Sequence, residues 1–488
     1  MNSSTRQTRQ RIAIVGAGIA GLSAALTLQD AGFPCDIYEA SDHIGGRMHS
    51  DTTTWGDGAV SELCGEFIDS DHTTILHLCQ RFNLKTMNLS DRYGGGQRIV
   101  YFSNRYYRPE ELNKEFAKIM PVLQQQVQEV GFPTTYNHYT EVGYRLDHLS
   151  VYDWIEQYVE GGHVAPIGRM LDGGCRGFLG METRLQSALN LLYMYGNPER
   201  GENEDERSEG HTTGPLQGSY RIMGGNQRLP LAIAQSLPRG SLHLKHELLA
   251  IKRLNEQAVQ LAFSTPEGYR EIICEHVILT LPFSVLRHVD YEQAGFDALK
   301  RTAIEQLGYG TNSKLTLQFD TPYWYQEGPW PRNHNGFIVT DLAIQVLWDA
   351  STGQRDTRPL LVNYTSGATG ASYQPRAPYT TTRDSELVQH YAFDCLKELE
   401  RVFPGISTHY TGVATLSYPT GDPWLGGSYS CWGVGQYTLF AGYEGVRQGS
   451  IHFAGEHCSV RWQGFMEGGA REGIRAAQEI IQDYGASC

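Results

Sequence analysis

An apolar run, Ile12-Ala13-Ile14-Val15, opens onto Gly16-Ala17-Gly18-Ile19-Ala20-Gly21 and then onto residues 22–31. No other stretch restricts the fold as strongly. An apolar run before a glycine loop reads as a buried parallel strand. Leu22, Ala25, Leu26 and Gln29 fall at helical spacing, and Gly32 is placed to stop that helix in a left-handed conformation. A second strand then delivers Glu39 about 20 residues past the loop. Strand, glycine turn, helix and acid in this order make a Rossmann-type dinucleotide site. The glycines let backbone N–H groups approach a pyrophosphate, the helix N-terminus favours the anion, and Glu39 can accept from a ribose diol. Ile44-Gly45-Gly46-Arg47 follows. Its glycines and forked guanidinium suit the far end of an extended dinucleotide, which tilts the reading from NAD toward FAD.

The rest of the composition sets limits. With 488 residues the chain is long enough for two or three domains. A net charge of −14 disfavours nucleic acid or an anionic membrane surface as main partner and is compatible with a cationic substrate. No apolar run approaches the roughly 18 residues of a spanning helix. The first eleven residues are polar and basic and leave no room for the apolar core of a secretory signal. The cysteines stand singly, with no CxxC pair and no His/Cys cluster, so neither a metal centre nor a disulfide framework is expected. A reducing cytoplasm is the simplest location on these grounds.

Along the chain, residues 105–195 read as mostly helical, with amphipathic stretches at 110–130 and 186–195. Residues 196–218 form a break containing GENEDERSEG, expected as a solvated loop. Met223-Gly224-Gly225 precedes a helix-like stretch to Leu237. Strand-like runs follow at 248–251, 259–263 and 277–281. KLTLQF at 314–319 alternates as a half-buried strand should. Ile451-His452-Phe453-Ala454-Gly455-Glu456 reads as a strand running into a loop, and Gly464-Phe465-Met466-Glu467-Gly468-Gly469 precedes a helix over 470–483.

Taken together, residues 12–47, HFAGEHCS and WQGFMEGGAREGIRAA resemble the flavin-containing amine oxidases, which include monoamine, polyamine and L-amino-acid oxidases. The resemblance implies an α/β fold. A Rossmann-like FAD domain would be assembled from 11–68, 219–297 and 445–485. A substrate domain of mixed β-sheet with helices would take 69–218 and 298–444, with 105–218 largely helical. It implies that Gly16, Ala17, Gly18, Ala20 and Gly21 cradle the pyrophosphate and that Glu39 and Ala40 hold the adenosine ribose. Gly46 and Arg47 would line the stretch toward the flavin, and Gly65, Glu66 and Phe67 would pass along the isoalloxazine. Leu248 would meet the adenine. Gly455 and Glu456 would bind the phosphate-and-ribityl region, and Gly464, Phe465 and Met466 would reach the pyrimidine edge. The last helix would then stabilise negative charge on the reduced flavin.

Chemistry is expected from four residues. By the same resemblance Lys314 holds a water against flavin N5, and Trp432 and Phe465 form the two walls of an aromatic cage around the substrate nitrogen. Glu66 has two readings, a receptor for a cationic substrate or a hydrogen-bonding group under the flavin. Ile68 stands where related L-amino-acid oxidases carry a carboxylate-binding arginine, leaving Arg92, Arg98 or another arginine to enter from elsewhere. Cys431 aligns with a cysteine that some relatives link to the flavin, but the SYSCW context favours non-covalent FAD. The expected reaction is oxidation of a small cationic amine, polyamine or basic amino acid by O2 to an imine and then a carbonyl compound, with hydrogen peroxide released. A desaturase or isomerase, a dehydrogenase with another acceptor, and a non-catalytic FAD-fold binding protein are the alternatives. A homo-oligomer is compatible with the sequence.

Overall fold

A computed structural model describes residues 10–89, 96–196 and 220–485. The acidic stretch expected as a solvated loop, and Arg92, lie outside them. The opening apolar run forms the strand Gln10–Val15. It runs parallel to Asp36–Tyr38, with Val15 opposite Tyr38, and that strand borders Leu242–His243. On its other side it pairs in parallel with the end of Gly268–Leu279, Ile14 opposite Ile278. That long strand changes partners along its length. Its first half closes an antiparallel meander with Ala258–Thr265 and Glu247–Asn255, and its last residues pair in parallel with Ile451–Phe453. One sheet thus gathers three distant parts of the chain.

The helix Ile19–Asp30 follows the glycine loop and stops at Gly32, whose φ is +82°. The last helix, Met466–Gly485, packs against it. A Cβ on Gly473 would sit 2.0 Å from the Ala20 carbonyl oxygen, so glycine is what lets the two backbones approach. Leu22, Ala25 and Leu26 bury against Ala476, Ala477 and Ile480. Each fully buried leucine or isoleucine here contributes roughly 1.5–3 kcal/mol. This helix begins four residues earlier than its sequence predicts. Gly468 and Gly469 read as loop, yet both are helical, and they are glycines because the Trp462 carbonyl and the Ile19 side chain leave no room for a Cβ there.

A second, eight-stranded sheet has the order Tyr379–Thr381, Tyr410–Ser417, Ser313–Phe319, Leu360–Thr365, Val346–Asp349, His334–Thr340, Gln97–Phe102, Arg105–Tyr107. It is mixed: His334–Thr340 and Gln97–Phe102 are parallel, and the other neighbours are antiparallel. The strand Ser313–Phe319 was expected to be half-buried and is buried at every residue. Leu315 and Leu317 share a core with Leu396 and Leu399 of the helix Glu386–Val402. Its polar alternates face another part of the chain instead of water. Lys314 donates to the carbonyls of Glu62 and Cys64, and Gln318 to that of Trp55.

The expected helical region holds Pro109–Val130, Glu141–Asp147, Val151–Tyr158, Pro166–Leu179 and Ala188–Tyr195. Thr140, Ser150 and Ser187 cap three of these by accepting backbone N–H bonds, and proline opens the other two. Residues 105–107, expected as helix, instead form an edge strand because Arg105, Tyr106 and Tyr107 pair with Gln97–Phe102. No helix among the described residues is long and apolar enough to cross a membrane.

Candidate active site

A cavity of ≈ 520 Å³ opens where the parallel strands end at Val15, Tyr38 and Leu279, the usual ligand position in such sheets. Of the residues expected to hold the cofactor or carry the chemistry, all but Ala17 and Gly21 line it, while the two side candidates Arg98 and Cys431 do not. Ala17 and Gly21 act one step back. The Ala17 N–H donates to Glu39 Oε2 at 2.7 Å. A Cβ on Gly21 would lie 2.0 Å from the Gly16 carbonyl oxygen, so this glycine closes the turn. Gly18 is different: it faces the cavity, and beyond its two chain neighbours no protein atom lies within 4 Å of where its Cβ would be. That vacant cradle beside a helix N-terminus suits a pyrophosphate. Glu39 Oε1 accepts from the backbone N–H and hydroxyl of Ser41, which fixes the carboxylate at the cavity wall. Ala40 and Leu248 line the same end.

Two buried carboxylates organise the middle. Glu456 accepts from Arg47 Nη1 at 2.7 Å, from the Ser430 hydroxyl at 2.7 Å and N–H at 3.1 Å, and from the Gly464 N–H at 2.7 Å. Its carboxylate was expected to bind the cofactor. In this arrangement it is a hub that ties three chain segments around the cavity. Burial raises its pKa, but Arg47, His457 and the Ser430 hydrogen bond together hold it below the usual range. Gly46, Gly455 and Gly464 all have positive φ and bring backbone to the lining at this level.

Glu66 is the second hub. Its Oε1 accepts from Arg221 at 3.0 Å and from the Trp348 indole at 3.0 Å, and its Oε2 accepts from Lys314 at 2.9 Å. The carboxylate is a hydrogen-bonding hub in the cavity floor. Lys314 and Arg221 hold its pKa down against the effect of burial. Lys314 spends its three ammonium protons on Glu66 and on the carbonyls of Glu62 and Cys64. These bonds fix the ammonium beside Glu66 in the cavity lining. Arg221 also donates to the carbonyls of Ala350 and Thr352.

Sequence reasoning missed Arg221, Trp348 and Asn226. Asn226 donates to the carbonyls of Gly65 and Glu66 and accepts from the Ile222 N–H, and its own N–H goes to Glu62. It therefore shapes the loop beside Phe67. The signal for it was the Met223-Gly224-Gly225 turn, whose glycines have φ of +81° and +106°. Glu62 meets only the Ser50 hydroxyl and this N–H among the hydrogen bonds of its carboxylate, and burial pushes it up to about 7.

The far end is aromatic. The Trp432 ring lies 4.4 Å from that of Tyr437, and its indole donates to Glu444. Phe465 meets His72 edge-on at 5.1 Å and Trp462 at 6.3 Å, and Met466 packs beside Gly65. The hydroxyls of Tyr364 and Tyr429 are 3.0 Å apart, and Tyr429 also bonds the Phe178 carbonyl. The helical region adds Phe132, Pro133, Thr134, Phe178, Leu179, Asn190, Tyr193 and Met194 to the lining, with no acid, lysine or arginine among them. Arg98 is not in the lining; its guanidinium sits 5.5 Å from the Phe337 ring. Cys431 also stays out of it. Its buried thiol faces the Asn190 amide at 3.7 Å and is pushed up to about 12 by burial.

Two groups of metal-ligand type, His276–His452–Asp483 and Asp69–Asp71–His72, lie outside the cavity lining. In the first, His452 bonds Glu479 through Nδ1 and His276 through Nε2.

The comparisons with known proteins cover nearly the whole chain. YobN of Bacillus subtilis (strain 168), provisionally named an L-amino-acid oxidase, is 25% identical over 98% of this chain and 96% of its own. A putrescine oxidase from Kocuria rosea is 23% identical over 96% of this chain and 95% of its own. The solved cyclohexylamine oxidase of Brevibacterium oxydans IH-35A superposes with a TM-score of 0.79 at 20% identity, covering 98% of this chain and all of that one. The family model described as flavin containing amine oxidoreductase matches residues 19–481, and the chain belongs to that family.

Proposed function

We propose that this protein is an FAD-dependent oxidase that converts an amine with an apolar body to its imine, with O2 as acceptor and hydrogen peroxide as second product. The imine, once formed, is hydrolysed to a carbonyl compound and ammonia or a smaller amine. The observation that carries the reading is the continuity of one cavity, from the Gly18 cradle and Glu39 to the rings of Trp432 and Phe465. Gly16, Gly18, Glu39, Gly46 and Arg47 would hold the dinucleotide, and Gly65, Glu66, Phe67, Gly464 and Met466 would border its ring. When bound, the flavin supplies the two-electron chemistry. The position of the Cys431 thiol, outside the cavity lining, supports a non-covalent cofactor.

The protein's own contribution is orientation, desolvation and charge balance. Trp432 and Phe465 would flank the amine and direct its α C–H toward the flavin. Two cations, Lys314 and Arg221, meet the single carboxylate of Glu66 in the floor. A second positive charge on the substrate is disfavoured there, so the amine enters its reactive geometry in the neutral form. The same excess of positive charge favours electron density arriving at the flavin. The wall supplied by the described part of the helical region is uncharged, which supports an apolar body for the substrate.

The test is peroxide release and anaerobic flavin reduction with the purified holoenzyme. Benzylamine and cyclohexylamine are expected to reduce the flavin faster than putrescine or L-arginine. Failure of every amine and amino acid to reduce it overturns the oxidase reading.

A further inference from the structure

Trp432 is held from behind by a polar array that lies outside the cavity. Its indole N–H donates to Glu444 Oε1 at 2.8 Å, and Glu444 Oε2 accepts the Gly442 N–H at 2.6 Å. Glu444 is fully buried and takes no part in the lining. Lys300 is fully buried as well, and it does not reach the Glu444 carboxylate: it donates to the carbonyls of Tyr443 at 2.8 Å and Glu444 at 2.6 Å. Its ammonium also sits 3.9 Å from the centre of the Phe453 ring. Phe453 ends the strand that leads into Gly455 and Glu456 at the cavity. One buried lysine therefore joins the turn that braces Trp432 to the strand that delivers Glu456.

An acid in this place is expensive to bury. Burial pushes Glu444 up to about 7 and Lys300 down to about 7. Simple packing would be served better by an apolar side chain. What the carboxylate adds is an acceptor for one indole N–H and one backbone N–H, both in fixed directions. A tryptophan ring with its N–H so held has one plane, whereas Tyr437 alone, tilted at 49°, leaves it free to slide.

We propose that Glu444 is a positioning residue for amine oxidation: it sets the plane of the Trp432 wall, and Lys300 fixes the turn that carries it. The proposal rests on the reading that Trp432 faces the amine. The test uses flavin-loaded enzyme and anaerobic flavin reduction by methylamine, benzylamine and 2-phenylethylamine, with Glu444→Leu, Glu444→Gln and Trp432→Phe alone and combined. Glu444→Leu is expected to weaken the apparent affinity for the two aryl amines at least tenfold more than for methylamine, with flavin content retained. Glu444→Gln, which keeps an acceptor, should recover most of this. In the Trp432→Phe background, which lacks the indole N–H, either change should add less than twofold. Equal effects in both backgrounds, or none in the wild-type background, overturn the proposal while leaving the wall in place. If Glu444→Leu does not fold, Glu444→Ala, which also lacks an acceptor, takes its place in the same cycle. Trp432→Phe and Trp432→Ala enzymes with unaltered kinetics on all three amines would instead overturn the reading of the wall.

Discussion

Two sets of buried glutamates surround the cavity and are treated in opposite ways. Glu66 and Glu456 line it, and each is paired with cations, Lys314 and Arg221 for one and Arg47 for the other. Glu62 and Glu444 stand just behind the lining and meet hydroxyl, indole and backbone donors instead. The inner pair is held below the ordinary carboxylate range and the outer pair is raised to about 7. The difference teaches where the charge is needed. Next to the proposed cofactor, carboxylates are kept ionised and cancelled, so that they organise the site without drawing a cation into it. Behind it, carboxyls serve as acceptors of directed hydrogen bonds.

The comparison can be broken most severely at its inner member. Arg47→Ala would strand Glu456 as a buried acid with its cation gone, and a loss of about 3–5 kcal/mol is expected, together with loss of bound flavin. Chemical denaturation and flavin content after gel filtration check this; a variant of wild-type stability would show that the pair does not organise the site.

The outer set is sharpened by pH. The folded-state pKa of Glu62 lies above its unfolded value of 4.5, at about 7. Its protonated form therefore stabilises the fold fully below pH 4.5, and that contribution is lost as pH rises through 7. A shift of this size corresponds to about 3 kcal/mol. Glu62→Gln should thus gain on the wild type by that order between pH 4.5 and 8, in denaturation curves taken at both ends. A pH-independent gap between the two proteins would remove Glu62 from the outer set.

Lys314→Met probes the link between the sets, because this lysine touches Glu66 by its side chain and Glu62 by its carbonyl. About 2 kcal/mol of stability should be lost, the scale of one hydrogen bond to a charged group. Flavin reduction or reoxidation should slow at least tenfold. Rates within twofold of wild type would confine Lys314 to holding the 62–66 loop. The smallest effect is expected at Cys431. Its change to alanine should leave flavin content and acid release of the flavin as in the wild type, and flavin that stays with acid-precipitated wild-type protein would contradict a non-covalent cofactor.

What the sequence disclosed follows from distance along the chain. The strand, the glycine loop, the helix and Glu39 interact within one short segment, so spacing alone declared them. The reach of Glu66 did not show, because its partners lie 155, 248 and 282 residues away. Arg221 sits in the strand Tyr220–Ile222, where an arginine flanked by apolar residues is readable only as an edge position until its partner is known. Trp348 was one of many tryptophans and tyrosines in an aromatic-rich stretch, with nothing local to mark its indole as a donor. The alternation of Ser313–Phe319 correctly announced a strand and misjudged its exposure, since no local pattern reveals that the 55–66 segment covers its polar face.

The strand Gly268–Leu279 ends between Gln10–Val15 and Ile451–Phe453. During synthesis the first neighbour is made before this strand and the second long after it. Until then one flank of this strand is an unpaired edge, and Glu456 has not yet met Arg47. Contacts of such sequence separation form slowly and leave edges open to wrong partners. Biogenesis of this protein is therefore ordered in time: the glycine loop can take shape early, while a complete cofactor bed forms only once the 451–485 segment has joined it, in a chain that has survived the interval with its central sheet unfinished.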